Sequence, residues 1–235
     1  MKLYDNTIEK LKSLLETGSA VNLPVDTGDW PDVSDRSMIL RSDMAYELGS
    51  NQDPGIGLTV ITASKELVPE SGVKLIGPDL GEISADRPYA RIAVVRVDEE
   101  TLGEGQALYS IIRDLENVRY HFYPEGFMMR ISASRNRESV RVATAAIKKQ
   151  LGFGITGSKM IEAFCRKKQV EAVQIYYVTD TAFDFKALEK CGKEVEKITQ
   201  TIDHILKNVI MDCNACSLQQ VCDEVEGLRE LHFGK

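Results

Sequence analysis

The spacing of apolar residues divides the first 180 residues into short strands and helices. Apolar periodicity and end signals predict helices at 6–17, 105–115, 137–150 and 159–168. Apolar and β-branched runs between turn-forming residues predict strands at 38–48, 58–61, 73–76, 90–97, 126–132 and 172–179. The Asp-, Gly- and Pro-rich segment 21–35 is expected to be a loop. Strands and helices alternate irregularly, which predicts an α+β fold with a mixed sheet flanked by helices.

The final third carries one long apolar stripe. Its members follow one another at steps of three and four residues, as on one face of a long helix. They are Leu188, Cys191, Val195, Ile198, Ile202, Ile205 and Val209. The stripe is short for a coiled coil, so we expect the helix to pack on its own domain and Cys191 to be a buried apolar side chain; a homodimer or partner-binding helix is the alternative. The pattern predicts an α+β domain over residues 1–180 and a long helix with a cysteine-rich tail over 181–235.

Composition narrows the class of protein. Hydrophobic residues make up 43% of the 235 residues, as in ordinary folded proteins, and the net charge of −7 gives no general reason to bind nucleic acid. The N-terminus reads as an amphipathic helix and not as a signal peptide, and no apolar run reaches the roughly 18 residues needed to cross a bilayer. Five cysteines without a secretory context indicate a reducing, cytoplasmic compartment.

Three cysteines form a C-x2-C-x5-C run just after the predicted long helix. Cys213 and Cys216 are separated by two residues, so a tight turn can bring both sulfurs to one metal centre, and Cys222 lies close enough to join them. The pattern predicts an iron–sulfur cluster or another metal such as zinc; unliganded thiols are the alternative. Three thiolates leave a fourth ligand open. The candidates are His232, Asp212, Cys165, a partner's side chain or an exogenous group.

Basic residues gather between positions 130 and 168. The segment holds ten basic and two acidic residues, so it carries a charge of +8 in an acidic chain. The candidate anion-binding residues are Arg130, Arg135, Arg137 and Arg141. Two of them fall near a predicted helix start, where the helix dipole disfavours cations unless an anion is bound. A phosphate-rich ligand such as coenzyme A or an acidic partner surface would satisfy the pattern, and a solvated charged face is the simpler alternative.

A glycine motif between positions 152 and 157 matches G-x-G-x-x-G. Dinucleotide-binding glycines follow a strand and open a helix, whereas this segment follows a predicted helix. We therefore expect a flexible turn between two helices here, and no dinucleotide site.

The order of several short motifs resembles the middle domain of acetyl-CoA synthase, the beta subunit of the CO dehydrogenase/acetyl-CoA synthase complex. The shared landmarks lie at residues 23–26, 43–49, 74–79, 124–126, 130–132 and 173–180, followed by a helix and then by Cys213 and Cys216. Each landmark alone has little specificity, but their common order ends in the same cysteine pair. The resemblance covers roughly residues 21–222.

The resemblance implies a fold, a pathway and a ligand set. In this family the cysteine cluster begins the ligands of an iron–sulfur cubane bridged to nickel-type positions, and the enzyme assembles acetyl-CoA from CO, a methyl group and CoA. Cys213 and Cys216 match the first two cubane ligands, and Cys222 follows at a shorter spacing than the family's third. The fourth cubane cysteine and the family's Cys-Gly-Cys nickel ligands have no counterpart in this sequence. We therefore expect the isolated chain to lack synthase activity.

Three hypotheses remain at this point. In the first, the chain is a stand-alone, metal- or cluster-binding accessory protein of one-carbon metabolism. In the second, it is a subunit that is catalytic only with CO dehydrogenase/acetyl-CoA synthase or corrinoid protein components, with nickel present. In the third, it is a CoA- or anion-binding module whose cysteines are incidental. Metal analysis under anaerobic conditions separates them.

Overall fold

Eight strands and five helices make up the described part of the chain. The structure, a computed structural model, describes residues 2–17, 19–25, 38–102, 106–120, 123–131, 136–206, 220–221 and 225. The helices are α1 (Asp5–Leu15), α2 (Gln106–Asn117), α3 (Thr144–Lys148), α4 (Phe153–Cys165) and α5 (Phe185–Leu206). The strands are β1 (Val21–Leu23), β2 (Met44–Leu48), β3 (Gly55–Thr62), β4 (Gly72–Ile76), β5 (Tyr89–Val97), β6 (Met128–Arg130), β7 (Val140–Ala143) and β8 (Val170–Val178).

The larger sheet is mixed and has the order β1-β4-β8-β5-β3. Strands β4 and β8 are parallel, as are β5 and β3, while β1 runs antiparallel to β4 and β5 runs antiparallel to β8. All eight residues of β3 are buried, and so are eight of the nine in β5. Strands covered on both faces read as continuous apolar runs, and for this reason the sequence predicts them well. The expected α+β fold with a mixed sheet flanked by helices is confirmed.

The smaller sheet is antiparallel, with the order β2-β7-β6. The sequence predicts a helix over residues 137–150, and this prediction is wrong for the first half of that range. Apolar Val140 and Val142 alternate with Arg141, which is the period of a strand, and β7 pairs with both β2 and β6. Only the alanine-rich stretch Thr144–Lys148 is helical.

Two other expectations need correction. Residues 21–23 form the edge strand β1 and not a loop, because their backbone pairs with β4. The glycine motif is not a turn between helices. Gly152 is the N-cap of α4, so Gly154 and Gly157 lie inside the helix. A Cβ at Gly157 would lie 2.6 Å from a methyl carbon of Val73, so glycine here permits close packing of the helix on the sheet.

The long C-terminal helix is confirmed as α5, and the described part of its stripe packs on its own domain; Val209 lies outside the described residues. Leu188, Cys191, Val195, Ile198 and Ile202 are buried in the same core as the strands, where α5 contacts α1 and β3. The division of the chain at residue 180 stays a prediction. No helix in the described part of the chain has the length and apolar character needed to span a membrane.

Candidate functional site

The candidate anion-binding arginines that the structure describes are held by protein groups. Arg130 donates to the carbonyl of Arg137 at 3.2 Å and packs over the ring of Tyr120, 4.5 Å from its centroid. Arg137 donates to the carbonyls of Gly49 and Ser50, at 3.3 and 2.5 Å.

Arg141 lies on β7, where its Nε is 3.5 Å from a carboxylate oxygen of Glu47 and its Nη1 donates to the carbonyl of Ile39 at 3.4 Å. Arg135 lies outside the described residues. Since residues 137–143 do not begin a helix, the helix-dipole argument for an anion site at these positions is wrong. Anion binding by the four arginines stays a prediction without that support.

The cysteine run also lies outside the described residues. Cys213, Cys216 and Cys222 are therefore untested, and their ligation of one metal stays a prediction. In the described ranges, no group of three or more His, Cys, Asp or Glu side chains could hold a metal ion. Cys191 is buried and Cys165 is exposed at the end of α4, and both are free thiols. Burial raises the pKa of each thiol, which favours the neutral form over the metal-binding thiolate.

A buried ion pair joins the two sheets. The guanidinium of Arg91 on β5 meets the carboxylate of Glu138 in a bidentate contact, with Nε–Oε1 at 2.7 Å and Nη2–Oε2 at 2.8 Å. Neither side chain has any exposed surface. Arg91 also donates to the carbonyl of Leu58 at 3.2 Å, and the hydroxyl of Tyr123 donates to Glu138. A fully buried pair with this many partners is well satisfied, as buried charges must be.

The pKa of Glu138 reports the balance of forces on this pair. Burial alone would raise that pKa, but the charge and hydrogen bonds of Arg91, together with Tyr123, hold it below its ordinary value. The pKa of Arg91 is raised: burial acts to lower it, and the charge of Glu138 outweighs burial. Both groups are therefore ionised at neutral pH.

A second buried guanidinium lies beside the pair. Arg119 is 2% exposed and donates to the carbonyl of Gly57 at 3.1 Å and to the hydroxyl of Tyr120 at 3.1 Å. Burial, followed by the charge of Arg91, lowers the pKa of Arg119. The hydroxyl of Tyr89 lies 3.4 Å from that of Tyr123, which extends the network toward the aromatic core.

Glycines in β3 make room for the pair. The segment before β7 runs beside the free edge of β3: the amide of Gly57 donates to the carbonyl of Asn136 at 3.1 Å, and the amide of Glu138 donates to the carbonyl of Gly55 at 3.3 Å. A Cβ at Gly57 would lie 2.7 Å from the Cβ of Glu138. The apolar pattern alone does not predict this network. Its one signal in the sequence is the charged residue Arg91 inside the apolar run of β5, which needs a buried partner.

The N-terminus of α4 is occupied by a protein carboxylate. Oδ1 of Asp79 accepts hydrogen bonds from the amides of Phe153 at 2.8 Å and Leu80 at 2.7 Å. This carboxylate takes the place that a phosphate has in dinucleotide-binding folds. The expectation that the glycine motif is no dinucleotide site thus has a physical reason, even though the motif does open a helix.

A cleft with a volume of about 270 Å³ lies between the start of β3 and α5. Its lining carries charges of both signs, from Arg137, Glu189, Lys193 and Glu196, and its floor includes backbone of Gly55 and Gly192. The side-chain amide of Asn136 donates across the cleft to the carbonyl of Gly192 at 3.3 Å. Among the residues that the structure describes, the lining holds no histidine, cysteine or hydroxyl side chain, and these residues offer polar contacts.

Comparison with known sequences adds what the geometry does not give. A search of curated proteins found no match. A family model, that of the CO dehydrogenase/acetyl-CoA synthase complex beta subunit, matches residues 32–183. The match covers more than half of the chain and includes both sheets from β2 to β8 and the buried pair, and it ends before α5. The chain therefore belongs to the family of the CO dehydrogenase/acetyl-CoA synthase complex beta subunit.

Proposed function

We propose that this chain is a metal- or iron–sulfur-binding protein of acetyl-CoA synthase-like one-carbon metabolism, acting as an accessory protein or complex subunit. The observation that carries the proposal is the family match over residues 32–183. CO dehydrogenase/acetyl-CoA synthase or corrinoid protein components are the proposed partners. A cytoplasmic location belongs to the same proposal, because thiolate ligands persist in a reducing compartment.

The donor set supports the metal part of the proposal. Cys213, Cys216 and Cys222 would supply three thiolates within ten residues, and soft sulfur ligands in this spacing suit an iron–sulfur cluster or zinc, with nickel as a further candidate. When bound, a cluster supplies electron transfer and zinc supplies structural rigidity. The residues of the chain would hold the centre through deprotonated sulfur, so binding should weaken as the pH falls and the thiols take up protons.

Cys191 should have no part in the site. Its side chain is 5% exposed in the core, on the same face of α5 as Leu188 and Val195. It also lies 22 positions before Cys213 in the sequence. The 15 helical steps from Cys191 to Leu206 alone span about 22 Å at 1.5 Å per residue. A shared site would require the buried thiol to leave the core.

Metal analysis of anaerobically purified protein tests the proposal. We expect iron with sulfide, or zinc, in the wild type, and a sharp loss of metal in Cys213→Ser, Cys216→Ser and Cys222→Ser. Cys191→Ser is the matched control and should retain the wild-type metal content. Wild-type protein without iron, zinc or nickel would refute metal binding and favour a CoA- or anion-binding module with incidental cysteines. Nickel together with a cluster would favour a subunit that is catalytic within a complex.

A further inference from the structure

Two arginine side chains lie against the ring of Tyr120. The guanidinium carbon of Arg119 is 5.0 Å from the ring centroid, and that of Arg130 is 4.5 Å from it. Tyr120 is 44% exposed, whereas Arg119 is 2% exposed and Arg130 is half-buried. The ring therefore brings two positive charges together at a place that is open to solvent on one side.

Neither of these guanidiniums has a carboxylate partner among the residues that the structure describes. Each donates to one backbone carbonyl, and the Nε of each is buried without a hydrogen-bond partner. Glu138 acts on Arg119 through its charge, but both of its oxygens are already held by Arg91. Arg91, Arg119 and Arg130 together therefore carry more positive charge than Glu138 balances.

The free donor of Arg119 lies on the guanidinium edge that Arg91 uses to bind a carboxylate. In Arg91, Nε and Nη2 each donate to one oxygen of Glu138. In Arg119, Nη2 donates to the hydroxyl of Tyr120 at 3.1 Å, and Nε has no partner. Because this hydroxyl accepts a hydrogen bond, its own proton remains for another acceptor. The Nε–H of Arg119 and the O–H of Tyr120 are thus neighbouring donors without an acceptor in the described part of the chain.

We propose that Arg119, Tyr120 and Arg130 form a binding site for the carboxylate or phosphate group of a small molecule. An oxygen of this group would accept from the Nε of Arg119 and from the hydroxyl of Tyr120, and the guanidinium of Arg130 would balance its charge. Hydrogen bonds between ionised groups of this kind are roughly twice as strong as those between neutral groups. The inference is independent of metal binding, because the site includes no cysteine.

The electrostatics of Arg119 support such a ligand. Burial and then the charge of Arg91 lower the pKa of Arg119, so its surroundings disfavour the positive charge. A bound anion would offset both effects, since it supplies the opposite charge directly beside the buried guanidinium.

Calorimetric titration of the full-length chain with inorganic phosphate and, separately, with acetate tests the site. The ionic strength is held constant, because added salt screens exposed charges. We expect the wild type to bind at least one of the two anions saturably, and the anion that binds identifies the group. Arg130→Gln and Tyr120→Phe should each bind it roughly 10-fold more weakly or worse, because each loses a charge-assisted contact. Arg166→Gln removes one positive charge from an exposed arginine at the end of α4, and this control should bind like the wild type.

Thermal unfolding separates a ligand site from a structural cluster. The midpoint of the wild type should rise with the concentration of the bound anion, because a ligand that binds the folded state stabilises it. Circular dichroism checks that each variant folds. If the wild type binds neither anion, or if both variants bind it as tightly as the wild type, the proposed site is wrong. Variants with a lowered midpoint and an unchanged anion affinity would show that the cluster only stabilises the fold.

Discussion

Removing the carboxylate of Glu138 should destabilise the domain more than any surface charge change. In Glu138→Leu, the guanidinium of Arg91 keeps its hydrogen bond to the carbonyl of Leu58 but loses both contacts to the carboxylate. A fully buried cation without its partner costs about 3–5 kcal/mol. A domain of ordinary stability, roughly 5–15 kcal/mol, would survive this loss and remain measurable.

The double variant Arg91→Met plus Glu138→Leu is the sharper part of the test. It removes both charges and fills their space with apolar side chains, so the desolvation cost disappears together with the attraction. The hydroxyl of Tyr123 still loses its acceptor, which costs about 1–3 kcal/mol. We therefore expect the double variant to be more stable than Glu138→Leu alone.

Urea unfolding of the wild type and the variants measures these differences, provided the slopes with denaturant stay equal. The matched control is Glu171→Leu, because Glu171 on β8 pairs with Arg96, another arginine of β5, at 2.9 Å, and the carboxylate side chain is 49% exposed. That change should cost about 1 kcal/mol or less. If Glu138→Leu proves as mild as Glu171→Leu, the idea that the buried pair joins the sheets is wrong.

Three further changes test neighbouring parts of the fold. The pKa of Glu138 lies below its ordinary 4.5, so the stabilisation that ionised Glu138 gives the fold is present above that pH and is lost as the pH falls. Glu138→Gln lacks this titrating group. Urea unfolding between about pH 5 and pH 3 should therefore show a smaller loss of stability in Glu138→Gln than in the wild type. Gly57→Ala should cost about 1–3 kcal/mol by crowding Glu138, whereas Gly81→Ala, with open space around it, should be nearly neutral in the same assay. Asp79→Ala should cost about 1–2 kcal/mol of stability in thermal unfolding, because α4 loses the carboxylate that accepts from its first amide. Asp79→Asn should retain most of the wild-type stability, because its side-chain oxygen can still accept that hydrogen bond. Equal losses of stability in the two variants would contradict capping.

The sequence predicts those parts of the fold whose structure is decided by local patterns of apolar and polar residues. The sequence predicts strands β3, β5 and β8 and helix α5, because each carries a largely apolar run or an apolar stripe that packing then satisfies. The sequence does not predict strand β7, because its pairing with β2 joins residues almost a hundred positions apart. Its charged residues and the alanines that follow it favour a helix locally, and tertiary pairing outweighs that preference.

The candidate functional residues also differ in how far local sequence patterns predict them. Cys213, Cys216 and Cys222 lie within ten residues of one another, so the sequence alone can predict a metal centre there. The Arg91–Glu138 pair has no such local signature, because its members lie 47 positions apart. The sequence indicates the pair only through Arg91, a charged residue inside the apolar run of β5. The basic residues close together in sequence predict an anion site, and this stays a prediction. In the fold, Arg137 and Arg141 donate to different carbonyl groups.

The position of the buried pair bears on what kind of role the matched region has. Arg91 and Glu138 have no exposed surface through which a substrate could reach them, and their contacts link β5, β3, Tyr123 and the segment that leads into β7. A network of this kind fixes the relation between β5, β3 and the segment that leads into β7. The family match ends before α5, so it does not reach the three thiols of the cysteine run. Under the proposed metal-binding function, chemistry in this chain would depend on the segment that follows the helix, where the three thiols lie in sequence.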